Sequence, residues 1–217
     1  MSTHHPELYV ALDLPRDESL ALAEELKGVV DGVKVGSTLF CQSGPEIVSA
    51  LQAQGHQIFL DLKLHDIPHQ VGLACERLVG LGVSLMTIHT AGGAEMMRAA
   101  AEATSGSKTR VVGVTVLTSM DEQSLAQVGV NGEVESLVLQ RAAAAQRAGL
   151  SGVVASAKEV AAIHAQSGEG FEIVTPGIRM AGDAVGDQIR VVTPSMAVAA
   201  GAGNQLYTNR STVLHST

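Results

Sequence analysis

Apolar residues along this chain arrive in two alternating rhythms. Short aliphatic runs, rich in Val, Ile and Leu and bounded by Gly or charged residues, fall at 8–12, 32–35, 57–62, 85–89, 110–117, 152–155 and 172–175. Runs of this length and composition predict buried strands. Between them lie longer Ala-, Leu- and Glu-rich stretches at 18–29, 45–54, 69–81, 93–104, 133–148, 157–166 and 194–200, which carry helical patterns. An eighth strand candidate, 205–208, is more polar than the rest. Strand–helix alternation predicts parallel strands joined by crossover helices. Seven clear strands and the more polar eighth predict an α/β fold of the (β/α)8 TIM barrel kind, with an incomplete or altered eighth βα unit; six or fewer would leave an open, doubly wound sheet. No polar linker or composition shift divides the chain, so 1–217 is read as one domain.

The polar residues fall in a second pattern. Asp13 follows Tyr-Val-Ala-Leu, Lys34 sits within Gly-Val-Lys-Val-Gly, and Asp61 and Lys63 follow Ile-Phe-Leu. His89 follows Met-Thr-Ile, Thr118 and Ser119 follow Val-Thr-Val-Leu, and Pro176 follows Ile-Val-Thr. Each lies at or just past the C-terminal end of a predicted strand. In a barrel those ends share one face, the face that carries active sites. Six separate signals therefore converge on one mouth.

The densest signal is Asp61-Leu-Lys63-Leu-His65-Asp66-Ile67-Pro68. Side chains alternate along a strand, so Asp61 and Lys63 point the same way and Leu60, Leu62 and Leu64 the other. Acid and base on an inward face, near Lys34 from a neighbouring strand, are costly unless they pair with each other or with a ligand. The arrangement can aim Lys63 at one atom as a proton donor. Two other readings fit the same residues: a structural ion pair capping a strand, and a magnesium site made by Asp61 and Asp66. Lys63 between the two carboxylates already supplies the positive charge that a metal would bring. His65 and His69 have a zinc-like spacing, but Pro68 intervenes and no HExxH pattern is present.

Composition narrows the partners. The formal net charge of −8 argues against a broad basic surface for nucleic acid or for membrane phosphate. With no Trp, two Tyr and three Phe, the chain lacks the stacking platforms of single-strand binders. Cys41 and Cys75 form neither a CxxC pair nor a disulfide framework, which suits a cytoplasmic chain. The N-terminus lacks a signal-peptide pattern, and no apolar run approaches the roughly 20 residues that span a bilayer. An anionic small molecule held by a few local cations is the partner that remains.

At these residues the chain resembles the orotidine 5′-phosphate decarboxylase family. The resemblance rests on Ala11-Leu-Asp13, Val33-Lys34-Val35-Gly36, Phe59-Leu-Asp61-Leu-Lys63-Leu-His65-Asp66-Ile67-Pro68, Leu117-Thr118-Ser119, Thr175-Pro-Gly-Ile-Arg179 and Gly186-Asp-Gln188 followed by Thr193-Pro194. It implies a metal-free and cofactor-free decarboxylase that makes UMP in pyrimidine biosynthesis. It implies that Asp13 and Lys34 sit by the ribose and base, and Asp61 near the substrate carboxylate. Lys63 would protonate C6 as carbon dioxide leaves. Asp66 would reach across a homodimer interface into the partner's site. Thr118 would help hold the pyrimidine, and Arg179 and Gln188 the 5′-phosphate.

The chain departs from the family in two places. His69-Gln70 stands where the family has Asn-Thr. Beyond Gly201 the family's apolar last strand, its Gly-Arg phosphate site and its last helix are not recognisable; Arg210 stands in for the family arginine, with Asn209 in place of the glycine. Two further functions therefore compete with the decarboxylase: a magnesium-dependent phosphosugar decarboxylase or aldolase on the same barrel, and a non-catalytic nucleotide binder with an altered tail. Metal dependence discriminates the first, and turnover the second.

Overall fold

The computed structural model describes residues 7–168, 170–178 and 204–207. The aliphatic runs form strands β1 (Glu7–Ala11), β2 (Gly32–Gly36), β3 (Gln57–Leu64), β4 (Leu85–His89), β5 (Arg110–Val114), β6 (Gly152–Val154), β7 (Glu172–Ile178) and the short β8 (Asn204–Tyr207). Every pairing is parallel and follows chain order, and β8 pairs with both β7 and β1. Parallel neighbours need long crossovers. Those are supplied by α1 (Arg16–Leu26), α2 (Ser37–Ser43), α3 (Glu46–Ala53), α4 (Pro68–Val79), α5 (Gly93–Thr104), α6 (Glu122–Gln127), α7 (Val134–Arg147) and α8 (Val160–Ser167). The result is an α/β fold around a curled parallel sheet, TIM-barrel-like in its chain order. No described helix is long and apolar enough to cross a membrane.

Strand alternation sorts the apolar side chains into two cores. Val10, Val33, Val35, Ile58 and Leu60 point outwards and pack with Leu22, Leu26, Leu51 and Val71 of the helices. Tyr9, Ala11, Phe59, Leu85, Val112 and Val174 point inwards and make a second, smaller core. Tyr9 and Phe59 meet edge to face there, with ring centroids 5.7 Å apart. Full burial of one such ring contributes about 2–3 kcal/mol. The space for Tyr9 comes from Gly32, its register partner on β2. A Cβ at Gly32 would lie 2.6 Å from the Tyr9 ring and 2.5 Å from the Gln57 carbonyl oxygen.

Polar groups close the inside at its N-terminal end. Arg110 donates to Glu7 at 2.6 Å and to Glu172 at 3.1 Å, and the Tyr9 hydroxyl donates to Glu7 at 3.1 Å. Burial pushes the Glu172 carboxyl up to about 7, with Arg110 opposing the rise and Glu7 adding to it. Burial, reinforced by Glu7, likewise pushes the Tyr9 hydroxyl up. These groups lie at the strand starts, away from the mouth formed by the strand ends.

The observed elements depart from the sequence reading at their edges. β5 stops at Val114, three residues before the aliphatic run does. Thr115 then spends both its N–H and its hydroxyl on the Val154 carbonyl, at 3.2 and 2.9 Å, and Val116 and Leu117 turn to line the mouth. The short helices α2 and α6 were not expected, because neither presents an apolar stripe. Asp121 starts α6 by accepting from the Ser124 N–H at 2.8 Å. α1 ends at Leu26, just before Gly28 enters the left-handed region at φ 76°. β8 falls at 204–207, one residue earlier than expected. The helix expected at 194–200 lies outside the described residues.

Gly32→Ala is expected to lower stability by about 1–3 kcal/mol, because the added methyl meets backbone on one side and a locked ring on the other. Urea unfolding followed by circular dichroism measures the loss.

Candidate active site

The inside face changes character along each strand. On β3 the apolar Phe59 lies deep, and Asp61 and Lys63 follow it towards the strand end. Lys34 comes from β2, and Asp13 lies two residues beyond β1. These four residues form an alternating chain of charge. Asp13 Oδ1 lies 3.4 Å from Lys34 Nζ, Lys34 Nζ lies 3.5 Å from Asp61 Oδ2, and Lys63 Nζ donates to that same oxygen at 2.8 Å. The Asp61 and Lys34 side chains are 9% and 8% exposed, whereas Lys63 is 38% and Asp13 58% exposed. The chain thus runs from a buried centre to two ends that solvent or a ligand can reach. Gly36 leaves room for it, since a Cβ there would stand 3.2 Å from Lys34 Nζ.

Asp61 is the electrostatic centre. Burial alone would raise its carboxyl, but Lys34 and then Lys63 oppose that, aided by hydrogen bonds from Lys63 and Thr87. The net result holds Asp61 below its ordinary value of 3.8. Its other oxygen accepts from the Thr87 hydroxyl at 2.9 Å.

Lys63 carries the backbone irregularity of the site. It has φ 51°, the sole non-glycine residue at positive φ among those described. The β3–β4 register slips at this point, from Leu60↔Met86 to Leu64↔Ile88. A lysine in this region costs on the order of 1–3 kcal/mol and persists only where its surroundings hold it. Bulges of this kind re-aim a side chain at a strand end. Beyond Lys63, His65 and His89 stand with ring centroids 5.4 Å apart. Burial, then His65, Lys63 and Arg141, push the His89 imidazole down, so the neutral form is favoured beside the lysine.

The mouth encloses a cavity of about 170 Å³ lined by the four charged residues and by Phe59, Val114, Val116, Leu117, Thr118, Val154 and Pro176. One wall is charged and the other apolar. Of the residues singled out in the sequence, Asp13, Lys34, Asp61, Lys63 and Thr118 come together here. Asp66 does not: it is exposed, and its carboxylate accepts the Ile67 N–H at 2.6 Å. Arg179, Gln188 and Arg210 lie outside the described residues. Sequence reasoning missed Thr87, a polar residue sharing the inward face of β4 with Leu85. Alternation within Leu85-Met-Thr-Ile-His89 was the signal that could have found it. The described residues contain no group of three His, Cys, Asp or Glu placed to hold a metal ion.

Folding depresses the Asp61 carboxyl, so its ionised form contributes stability above pH 3.8 that is lost as pH falls through the folded-state value. The stability difference between the wild type and Asp61→Asn is therefore expected to be largest above pH 3.8 and to shrink below it. Denaturant titrations across that range measure it.

Residues 6–204 match the family model described as orotidine 5′-phosphate decarboxylase / HUMPS. An orotidine 5′-phosphate decarboxylase of Nitrosococcus oceani is 48% identical over 198 residues, covering 90% of this chain and 85% of that one. The corresponding protein of Halorhodospira halophila is 47% identical over 199 residues, covering 90% of this chain and 84% of its own length. Among solved structures, the orotidine 5′-phosphate decarboxylase of Lactobacillus acidophilus superposes with a TM-score of 0.79 at 33% identity, over 93% of this chain and 89% of that one.

Proposed function

We infer that this chain, which belongs to the orotidine 5′-phosphate decarboxylase / HUMPS family, is a carboxy-lyase that converts orotidine 5′-phosphate to uridine 5′-phosphate in pyrimidine biosynthesis. The observation that carries the reading is the Asp13–Lys34–Asp61–Lys63 chain at the rim of a half-apolar cavity. We propose a metal-free and cofactor-free reaction. Its support is that both Asp61 oxygens are already engaged, by Lys63 and Lys34 on one and Thr87 on the other.

The chemistry needs a cation at one carbon. Breaking the bond between C6 and the carboxylate releases carbon dioxide and leaves the electron pair on C6, with no π-system to spread it. The Lys63 ammonium, held at 2.8 Å by Asp61, would stabilise that pair and then hand its proton to C6. A substrate carboxylate entering beside Asp61 meets a like charge, relieved as neutral carbon dioxide departs. Asp13 and Lys34 would hold the ribose and base, and Thr118 on the apolar side would help fix the pyrimidine. The cavity is smaller than the roughly 300 Å³ at which ligand pockets begin, so the nucleotide would be held only in part. Its phosphate would project past the mouth, where Arg179, Gln188 and Arg210 would bind it. That remote grip can orient the base over Lys63.

We propose further that a complete (β/α)8 barrel forms with an altered eighth unit, that the enzyme is cytoplasmic, and that two copies share their active sites. The pairing of β8 with β7 and β1 supports the first. The exposure of Asp66, which does not line its own subunit's cavity and stands next to an Ile67 that is 62% exposed, supports the last.

Lys63→Ala is expected to abolish turnover while circular dichroism and UMP binding persist; wild-type turnover should be unchanged by chelator. Activity surviving in the variant would remove Lys63 from its role. Asp66→Asn and Lys63→Ala should each be inactive alone. Refolded together they should regain about a quarter of wild-type activity, since half the dimers are mixed and each holds one intact site. No recovery on mixing would place Asp66 in its own subunit's site or outside catalysis.

A further inference from the structure

We propose that Thr87 is the positioning residue for the proton donor. One buried hydroxyl sets both the backbone of Lys63 and the carboxylate that holds its ammonium. The proposal rests on the decarboxylase reading of this site.

The geometry starts from the slipped register. Between the pairs Leu60↔Met86 and Leu64↔Ile88, three residues of β3 run against the single Thr87 of β4. Within that stretch the Lys63 N–H donates to the Thr87 hydroxyl oxygen at 2.9 Å. Thr87 is 1% exposed, so water does not compete for its oxygen. An N–H can only donate, so the Thr87 oxygen must accept. A hydroxyl has a single hydrogen, and it points to Asp61 Oδ1 at 2.9 Å. Asp61 is ionised and only accepts. The direction of the relay is therefore forced: Lys63 N–H to Thr87 O–H to the Asp61 carboxylate.

The relay closes a ring. Asp61 Oδ2 accepts from Lys63 Nζ at 2.8 Å. Lys63 is thus gripped at both ends, by its amide through Thr87 and by its ammonium through Asp61. The amide contact holds the residue at φ 51°, which sets the direction in which its side chain leaves the strand. The carboxylate contact pins the ammonium. Without the hydroxyl, the part-buried Lys63 N–H and one buried carboxylate oxygen lose their partner together. Lys63 can then relax towards an ordinary strand conformation, and its ammonium withdraws from the cavity. Thr87 does not line that cavity, so substrate binding should survive its loss.

The test compares Thr87→Val, which keeps the shape, with Thr87→Ser, which keeps the hydroxyl. We expect kcat of the valine variant to fall about 100-fold, with KM within about threefold of wild type, the size of effect produced by misplacing a reacting group by about 1 Å. The serine variant should stay within about threefold of wild type in both. A folded valine variant with wild-type kcat would overturn the proposal. So would a serine variant as impaired as valine, since that would make the methyl packing the essential feature. Should the valine variant not fold, Thr87→Cys against Thr87→Ser replaces it: a thiol is a weak donor, and cysteine is expected to be at least about tenfold slower. Equal rates would reject the relay. Amide hydrogen exchange at Lys63 gives a reading that needs no turnover. It should be slow in wild type and serine and fast in valine or cysteine. Were the wild type itself unable to decarboxylate orotidine 5′-phosphate, the functional reading would fall, and exchange would still decide whether Thr87 holds the Lys63 backbone.

Discussion

Two ammonium groups and a hydroxyl converge on the carboxylate of Asp61, and the rest of the site is arranged around that convergence. A carboxylate this buried would be driven to its neutral form if alone. Lys34 and Lys63 keep it charged, and in turn it keeps two cations close together at the rim of an apolar interior. Removing Asp61 would leave two ammonium groups beside each other without the carboxylate between them, a costly arrangement at the edge of an apolar interior. The ladder of the sheet sets Lys34 one two-residue step below Asp61, level with Phe59, so that its long side chain reaches up to the carboxylate. Gly36 of β2 registers with Asp61 of β3, and Ala11 of β1 with Lys34 of β2.

The inner surface of the curled sheet is graded from end to end. Arg110, Glu7 and Glu172 close the strand starts, aliphatic and aromatic side chains fill the middle, and the charged chain opens at the strand ends. The two charged layers are separated by the Tyr9–Phe59 layer. Burial acts on both layers with different results. Burial pushes Glu172 up against the opposition of Arg110, with Glu7 adding to the rise, whereas at Asp61 the two lysines and two hydrogen bonds outweigh burial. The balance between burial and charged partners separates a layer that closes the fold from a layer suited to chemistry.

Much of this was legible in the residues. The order of strands and helices followed from aliphatic runs alternating with helical stretches, and Asp13, Lys34, Asp61, Lys63 and Thr118 were marked by their place after those runs. The boundaries were less legible. β5 ended at Val114, where the Val154 carbonyl accepts both the N–H and the hydroxyl of Thr115, a contact 39 positions apart in sequence. The helices α2 and α6 are seven and six residues long, too short to show an apolar stripe. Thr87 was overlooked because a threonine within an aliphatic run is ordinary in a strand, and nothing local says what its hydroxyl will meet.

Sequence alone was enough to expect Asp61 and Lys63 on one side of the strand, because alternation is a local property, although Lys63 reaches that side through a left-handed backbone rather than through the strand period alone. It was also enough for the family, because the motifs are contiguous. Tertiary structure decided what those directions meant. The left-handed backbone at Lys63, the slip of β3 against β4 and the hydroxyl that bridges them exist only once two strands 24 residues apart lie side by side. Charge and periodicity are properties of a segment. A buried hydrogen bond is a property of two segments, and only the fold makes them neighbours.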